Sequence, residues 1–384
     1  MGNIFLIGFM GTGKSTVARE LHARAKAQGV PCEYIEMDQR IEEEQGMPIT
    51  GIFEKRGEAY FRDLETDLLR RLAERAPGAP RLIVSCGGGA AVREENVRLM
   101  KKAGWIILLQ ATPDTVLRRV RKSKDRPILN GNMNRAFIAS LMEKRRAAYE
   151  AAADLTVSVD GRKVPQICDE IARKTKALEV IDRLKKEYPL AACTLNYEDA
   201  WQLLVSVRLA AQCTDARVDM VTPKLYEKFP TVEALAAADP AEIEEIVKPC
   251  GLGHSKARDI SACMRVLRDQ YGGRVPDDMK SLLALPGVGR KSANLILGDI
   301  FGKPAIVTDT HCIRLCNLIG LVDGIKEPAK VEKALWEIIP PEEGNDLCHR
   351  FVLHGRAVCV ARRPQCDKCC LRDICRYAIE KSYE

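Results

Sequence analysis

The pattern of apolar residues changes once along this chain, near residue 172, and this change limits the fold more than any single motif does. Up to residue 172, short β-rich runs alternate with helical patterns. The candidate strands are residues 4–7, 33–36, 82–85, 105–109 and 155–159. Alternating strands and helices predict an α/β domain, in which a parallel sheet carries helices on both faces.

From residue 178 to residue 384, amphipathic helical segments follow one another and almost no strand pattern occurs. Proline and glycine separate these segments, as is typical of an all-α domain. The charged stretch 173–177 is the predicted junction, and it contains no Gly/Ser-rich linker. We therefore expect two domains, residues 1–172 and 178–384.

Composition excludes several classes of protein. Hydrophobic residues make up 46% and charged residues 29% of the 384, which is typical of a folded globular chain. No apolar run is long enough to span a bilayer, so we expect no membrane partner. Fifteen scattered cysteines without a signal peptide predict reduced thiols and a cytoplasmic location. A net charge of +7 does not by itself indicate nucleic-acid binding, and we expect a monomer.

Residues 8–15 read G-x4-G-K-S and lie between the first candidate strand and the first helical pattern. Such a loop directs backbone N–H groups and a helix N-terminus at phosphate oxygens. Lys14 would neutralise the β- and γ-phosphates of ATP, and the Ser15 hydroxyl would bind Mg²⁺. Further ATP contacts are expected from Gly11, Thr12, Gly13, Thr16 and, from a polar lid, Arg126.

Further motifs carry a resemblance that covers nearly all of residues 1–172. They are Glu36-x-Asp38, Phe61-Arg62, Gly87-Gly88-Gly89, Arg126-Pro127-Ile128-Leu129 and Arg145-x-x-x-Tyr149. Together with the phosphate loop they resemble shikimate kinase. The resemblance implies that the shikimate hydroxyls and carboxylate are held by Asp38, Arg62, Arg145 and the triple glycine Gly87, Gly88 and Gly89.

One position departs from that family, which usually has Asp where this chain has Glu36. The usual residue supports Mg²⁺ without binding it directly, and a longer carboxylate could still do so. Two alternatives remain for this half: a kinase for another small molecule, or a regulatory nucleotide-binding module.

Near the C-terminus, Cys359, Cys366, Cys369 and Cys375 are spaced C-x6-C-x2-C-x5-C. Four thiolates within so short a stretch indicate one metal centre, and a [4Fe–4S] cluster requires four such ligands. The alternative is zinc, which more often uses two C-x2-C pairs separated by a longer loop. Cys370 lies out of register and is not expected to be a ligand.

Residues 285–293, LPGVGRKSA, have the pattern of a helix–hairpin–helix. Its turn exposes N–H groups at Gly287 and Gly289 to a DNA phosphate. This motif, Thr308-Asp309-Thr310-His311 and the four cysteines resemble endonuclease III, an iron–sulfur DNA glycosylase with lyase activity, over residues 178–384. The resemblance implies double-stranded DNA with a damaged pyrimidine or an abasic site as the substrate.

Two side chains would perform this chemistry. Lys291 lies at the start of the second hairpin helix, where the positive end of the dipole disfavours an ammonium group. Its neutral amine would attack C1′ of the sugar, and Asp309 would stabilise the positive charge that develops there. The resemblance assigns Gln212 to the void left by the extruded base and Leu252 to a wedge in the opposite strand.

His311 and His354 are as well explained by packing or a buried hydrogen bond as by catalysis. The alternative for this half is a DNA-binding module or a glycosylase without lyase activity, and Lys291 argues against both. The chain as a whole thus has the pattern of a fusion of two enzymes with unrelated substrates, between which we expect no channelling.

Overall fold

The computed structural model describes residues 2–76, 78–121 and 134–382, and the chain divides into two compact units, Met1–Glu179 and Val180–Glu384. The division falls within a helix, Val164–Glu187, which also contains the predicted junction 173–177. Among the described residues, no helix combines the length and the apolar character needed to cross a membrane.

The first unit is built on a five-stranded parallel sheet. Its strands are β1 (Asn3–Ile7), β2 (Cys32–Glu36), β3 (Arg81–Ser85), β4 (Gly104–Gln110) and β5 (Leu155–Ser158). They lie in the order β2-β3-β1-β4-β5. All five predicted strands are confirmed, to within one residue at either end.

Helices cover the sheet, so its central strands are buried and carry nearly continuous apolar runs. Phe5, Leu6, Val84 and Ile106 are at most 1% exposed. The helices are α1 (Lys14–Ala27), α2 (Met37–Gln45), α3 (Ile49–Ala73, with non-helical backbone at Gly57), α4 (Glu94–Ala103), α5 (Pro113–Val120), α6 (Arg135–Ala152) and α7 (Val164–Glu187). The predicted α/β class is confirmed.

The described part of the second unit contains helices and no strand. The helices are α8 (Ala200–Ala210), α9 (Asp215–Lys228), α10 (Val232–Ala237), α11 (Pro240–Val247), α12 (Gly253–Tyr271), α13 (Met279–Ala284), α14 (Arg290–Asp299), α15 (Thr310–Ile319), α16 (Pro328–Trp336), α17 (Gly344–Ala357) and α18 (Arg376–Lys381). Polar side chains cap several of them: Thr231, Asp239, Asp278 and Asp309 each accept a hydrogen bond from the first turn that follows. The predicted all-α class is confirmed.

Candidate active sites

The loop between β1 and α1 can form only because it contains glycine. Gly8, Gly11 and Gly13 have φ values of +140°, +78° and +96°. A Cβ atom on Gly8 would lie 2.5 Å from the Leu109 carbonyl oxygen. Lys14 folds back over the loop, and its Nζ donates to the carbonyl oxygens of Gly8 (2.9 Å) and Phe9 (3.2 Å). The structure thus has a loop and a cation arranged as a phosphate site requires.

Two other predicted ATP ligands lie at the same loop. The Thr12 side chain is buried, and its hydroxyl donates to the Phe9 carbonyl within the loop (2.8 Å). Thr16 is exposed in the first turn of α1. Arg126 lies outside the described residues. A cation that the sequence analysis did not assign is Arg119, whose Nη1 donates to the carbonyl oxygens of Thr12 (2.9 Å) and Gly11 (3.2 Å).

A chain of hydrogen bonds joins Ser15 to the carboxylate that departs from the family pattern. Ser15 Oγ lies 3.3 Å from Ser85 Oγ, and Ser85 donates to Glu36 Oε1 at 2.9 Å. Tyr34 donates its hydroxyl to the other oxygen, Glu36 Oε2, at 2.7 Å. Burial and the neighbouring Glu36 both raise the pKa of Tyr34, so the phenol stays protonated as a donor. The longer carboxylate therefore still lies beside Ser15.

The residues predicted to hold shikimate come together at the carboxyl end of β3. Arg145 Nη1 donates to the Gly88 carbonyl at 3.0 Å. A Cβ atom on Gly87 would lie 2.9 Å from Asp38 Oδ1, and one on Gly89 would lie 2.1 Å from Arg62 Nη1. The triple glycine thus lets one carboxylate and two guanidinium groups approach the same stretch of backbone.

The sequence analysis missed Glu65, which lies at the centre of this cluster. Its side chain is fully buried, and Oε2 pairs with Arg62 Nη1 at 2.7 Å. Burial raises the pKa of Glu65, and Arg62 opposes that rise. Burial likewise raises the pKa of Asp38, against the charge of Lys14. The spacing of three between Arg62 and Glu65 on a helix was the available signal.

Tyr149 is a second residue that the sequence analysis quoted without giving it a role. Its hydroxyl donates to the carbonyl oxygen of Gly88, the same oxygen that accepts from Arg145. The Gly88 carbonyl is therefore fixed by two donors from α6, Arg145 and Tyr149.

In the second unit, the hairpin between α13 and α14 has the tight turn that the sequence predicted. Gly287 has φ of +74°, and a Cβ atom there would lie 2.9 Å from Asp259 Cβ. Gly289 is the N-cap residue of α14. In the following turn, Arg290 forms a two-bond ion pair with the buried Glu332 (2.6 and 2.8 Å), while Lys291 is exposed. The hairpin thus presents the Lys291 amine to solvent.

The charge of Lys291 acts on the pKa of an acidic residue outside the hairpin, Asp215. Burial would raise the pKa of Asp215, but hydrogen bonds from Thr194 (2.6 Å) and Arg356 (2.7 Å) and the charge of Lys291 hold it below its usual range. The charge of Lys291 therefore helps to keep Asp215 ionised.

Lys291 and Asp309 both act on His311. Burial lowers the pKa of His311; the charge of Asp309 opposes this, and the charges of Arg314, Arg356 and Lys291 add to it. The charges of the two predicted catalytic residues therefore both act on the pKa of His311. Asp309 is also the N-cap of α15, because its Oδ1 accepts from the Cys312 N–H at 2.7 Å.

Gln212 and Leu252 have a shared backbone feature. They are the only non-glycine residues with positive φ in the described part of the chain, at 57° and 52°. Both side chains are exposed, and Leu252 keeps 59% of its surface open although it is apolar. Such backbone strain at an exposed residue is typical of functional positions.

The four predicted cluster ligands, Cys359, Cys366, Cys369 and Cys375, line one apolar cavity. Cys370 does not line it, as expected. Donors lie near two of the sulfurs: Cys369 Sγ is 3.3 Å from His354 Nε2 and 3.4 Å from Leu371 N, and Cys359 Sγ is 3.7 Å from Arg314 Nη1.

Burial raises the pKa of Cys369 to about 12, so a thiolate there requires a positively charged partner such as iron. In the described ranges, no three His, Cys, Asp or Glu side chains are arranged to hold a single metal ion. His354 is 1% exposed and also bonds to the Tyr188 hydroxyl, which agrees with a buried hydrogen-bonding role.

Comparisons with known proteins agree with this division. Residues 10–176 match the family model for shikimate kinase, and residues 205–341 match the model for the HhH-GPD superfamily of base excision DNA repair proteins. Endonuclease III of Synechocystis sp. is 42% identical over 205 residues, which cover 53% of this chain and 93% of the relative. The chain belongs to the endonuclease III family. Its first unit contains a shikimate kinase domain.

Solved structures of endonuclease III resemble the second unit. A non-covalent endonuclease III–DNA complex has 39% sequence identity and a TM-score of 0.53, and the match covers 55% of this chain and 99% of that one. A trapped covalent endonuclease III–DNA intermediate gives 39% identity and a TM-score of 0.52, covering 54% and 98%. The chain therefore joins a shikimate kinase domain to a unit of the endonuclease III family.

Proposed function

We propose that the chain is a bifunctional enzyme. Its first unit phosphorylates shikimate with ATP to give shikimate 3-phosphate. Its second unit excises damaged, oxidised pyrimidines from double-stranded DNA and cleaves the abasic site by β-elimination. The observation that supports the first activity best is the cluster of Asp38, Arg62 and Arg145 around the triple glycine. For the second it is the exposed Lys291 in the first turn of α14, directly after the glycine turn of the hairpin.

In the kinase unit, the arginines would bind the shikimate carboxylate, because a planar guanidinium pairs with a carboxylate through two hydrogen bonds. Asp38 would accept hydrogen bonds from ring hydroxyls and orient one of them toward the phosphate loop. Glu65 would hold Arg62 through the buried ion pair. Catalysis of phosphoryl transfer depends mainly on such positioning and on charge stabilisation.

The phosphate loop would hold the phosphates of ATP. Its backbone N–H groups and Lys14 would stabilise the charge on the transferring phosphoryl group. Mg²⁺, when bound, neutralises charge on the phosphates, and Ser15 is the side chain that would hold it. Ser85 and Tyr34 fix Glu36 beside Ser15, so the carboxylate that replaces the usual Asp is in place to support the metal site.

In the endonuclease III unit, the Lys291 amine would attack C1′ of the damaged nucleotide while the bond from C1′ to the base breaks. Asp309 would stabilise the positive charge on the sugar. The bond from C1′ to the ring oxygen O4′ then breaks and O4′ takes up a proton, which leaves the amine and C1′ joined as a Schiff base. A proton then leaves C2′, and the bond to the 3′-phosphate breaks. A relative with 39% identity has been trapped as a covalent intermediate with DNA, which supports this covalent path.

The four cysteines would bind a [4Fe–4S] cluster with a structural role. When bound, it holds together the segment from the end of α17 to α18. Arg362 and Arg363 are exposed in the first loop between the ligands, where they would meet DNA phosphates.

Borohydride trapping tests the nucleophile. We expect Lys291→Ala to form no covalent band with an oligonucleotide that carries thymine glycol, because no other amine is presented by the hairpin turn. Shikimate phosphorylation should stay at the wild-type rate. Lys326→Ala removes another exposed lysine of the same unit and should trap as the wild type does. Persistent trapping by Lys291→Ala would refute the assignment.

Phosphoryl transfer to shikimate tests the phosphate loop. Lys14→Ala should lower kcat at least about 10²-fold, because one preorganised cationic donor to the transferring phosphoryl group is lost. Borohydride trapping should not change. Lys26→Ala, at the exposed end of the same helix, is the control for loss of a positive charge. If Lys14→Ala kept full activity with shikimate, the kinase site would lie elsewhere.

A further inference from the structure

Two loops of the endonuclease III unit carry the residues expected to enter the DNA, and their relative position needs a cause. Gln212 lies just after α8, and Leu252 lies just before α12. Both have left-handed backbone, which an L-residue adopts only when its surroundings hold it there. Both side chains are exposed, so their own contacts do not fix the loops.

Lys256, on α12, forms hydrogen bonds to the backbone just before each of the two loops. Its side chain is fully buried. Its Nζ donates to the carbonyl oxygen of Leu209 at 2.8 Å and to that of Cys250 at 2.8 Å. The first carbonyl is three residues before Gln212, and the second is two residues before Leu252. One ammonium group therefore bonds both to the last turn of α8, just before the Gln212 loop, and to the residue two before Leu252.

The same two segments also approach each other near Cys213 and Cys250. Burial raises the pKa of Cys250 to about 11, and the neighbouring Cys213 adds to this rise. Cys213 directly follows Gln212, and Cys250 is two residues before Leu252.

A buried ammonium group is an unfavourable feature unless its hydrogen bonds do work that an apolar side chain could not do. Charge-assisted bonds to two carbonyls also have a fixed geometry, which a leucine or methionine at this place would not impose. Filling the void in one strand and wedging the other must occur together if the duplex is not to close again. A rigid connection would let both side chains enter as one unit, without an ordering cost at the moment of binding.

We propose that Lys256 is a positioning residue that ties the Gln212 loop to the Leu252 loop, so that the two side chains enter the duplex together. The proposal rests on the proposed DNA activity and on the expected roles of Gln212 and Leu252. It predicts that loss of the tie impairs opening of the duplex and leaves the Lys291 chemistry intact.

The test separates opening from chemistry. The full-length protein is mixed with a duplex that carries thymine glycol and an adjacent 2-aminopurine, whose fluorescence rises when the stack opens. All variants in this assay also carry Lys291→Ala, which removes the proposed nucleophile. The fluorescence reports opening of the duplex and does not depend on whether Lys291 is that nucleophile. Lys256→Met should lower the opening signal about tenfold. Lys256→Arg, which keeps a cation with several donors, should restore much of it, and Lys256→Gln, with fewer bonds, should be intermediate.

Borohydride trapping on abasic DNA shows whether the loss is specific. A single-stranded abasic oligonucleotide has no base stack to open, so it needs neither Gln212 in a void nor Leu252 as a wedge. Lys256→Met should therefore trap it within about twofold of the wild type. Trapping on the duplex should fall about tenfold. Arg258→Met removes a positive charge from the exposed face of the same helix and should leave the ratio of the two rates unchanged.

A second comparison asks whether Lys256 acts through the two loops. In a protein that already carries Gln212→Ala and Leu252→Ala, Lys256→Met should cause no further loss of opening. Equal losses on single-stranded and duplex DNA would mean that Lys256 only stabilises the fold and would overturn the proposal. An additional loss in the double variant, or no loss of opening in any Lys256 variant, would overturn it as well.

Discussion

At the scale of single residues, the glycines of the candidate shikimate site, which have no side chain, shape it as much as its charged residues do. Arg62 can approach the backbone at Gly89 because no Cβ atom stands in its way. Neither the glycine nor the arginine determines this alone, since the contact joins α3 to the loop after β3.

Gly89→Ala should raise the KM for shikimate about tenfold, because a methyl group 2.1 Å from Arg62 Nη1 would force the guanidinium away from its place. Gly51→Ala is a matched control in the same unit, since its new Cβ would meet no atom nearer than 3.9 Å. Steady-state kinetics with shikimate at saturating ATP provide the measurement. An unchanged KM for Gly89→Ala would show that Arg62 does not bind the acceptor.

At the scale of the helix, Asp309, which the sequence predicts to be catalytic, is also a helix cap. It caps α15, and its charge and that of Lys291 both act on the pKa of His311. A carboxylate at a helix N-terminus has its position fixed by the helix it caps. The helix that Asp309 caps therefore also fixes the position of the charge that the proposed reaction would use.

These roles can be separated by substitution. Asp309→Asn should keep the cap, because asparagine caps as well as aspartate, and should lose most of the glycosylase activity, because the charge is gone. Asp309→Ala should lose both, with a cost of about 1 kcal/mol and a fall in melting temperature of about 2–4 °C. Thermal unfolding and thymine glycol excision are the two measurements.

Asp278 is the natural control, because it caps α13 in the same way by accepting from Ser281 N at 2.9 Å. Asp278→Ala should lose stability with little loss of excision activity. If Asp309→Asn excised thymine glycol at the wild-type rate, the carboxylate would be a cap and nothing more.

At the scale of the whole molecule, the chain consists of two units with different ligands and different kinds of core. The first has a sheet packed between helices, and the second is helical with a cysteine-lined cavity near its C-terminal end. Removing a residue that binds a ligand in one unit should therefore lower the activity of that unit and leave the activity of the other unchanged.

Cys369→Ala should remove one cluster ligand, so the protein should lose its visible absorbance and its DNA activity and should keep phosphorylating shikimate. Cys370→Ala is a control at the adjacent residue, which lies outside the cavity, and it should retain absorbance and both activities. Iron content, absorbance and the two assays are measured on the same preparations. Equal loss of colour in both variants would contradict the assigned ligand set.

The sequence by itself determined the division into an α/β and an all-α half, all five strands and the glycine-containing turns that precede Lys14 and Lys291. These features are local, because periodicity, turn glycines and ligand spacing are written in consecutive residues. The comparisons confirmed the two families, and the site roles of single residues remain predictions.

Only the tertiary structure decided which residues far apart in sequence meet. It placed Glu65 beside Arg62 and Gly87, Ser85 between Ser15 and Glu36, and Lys256 against the carbonyls of Leu209 and Cys250. Each of these side chains, read in sequence, is an ordinary polar residue on a helix or at the end of a strand. Their roles arise because packing removes them from water, and a buried polar group must find its partner in whichever segment the fold brings near.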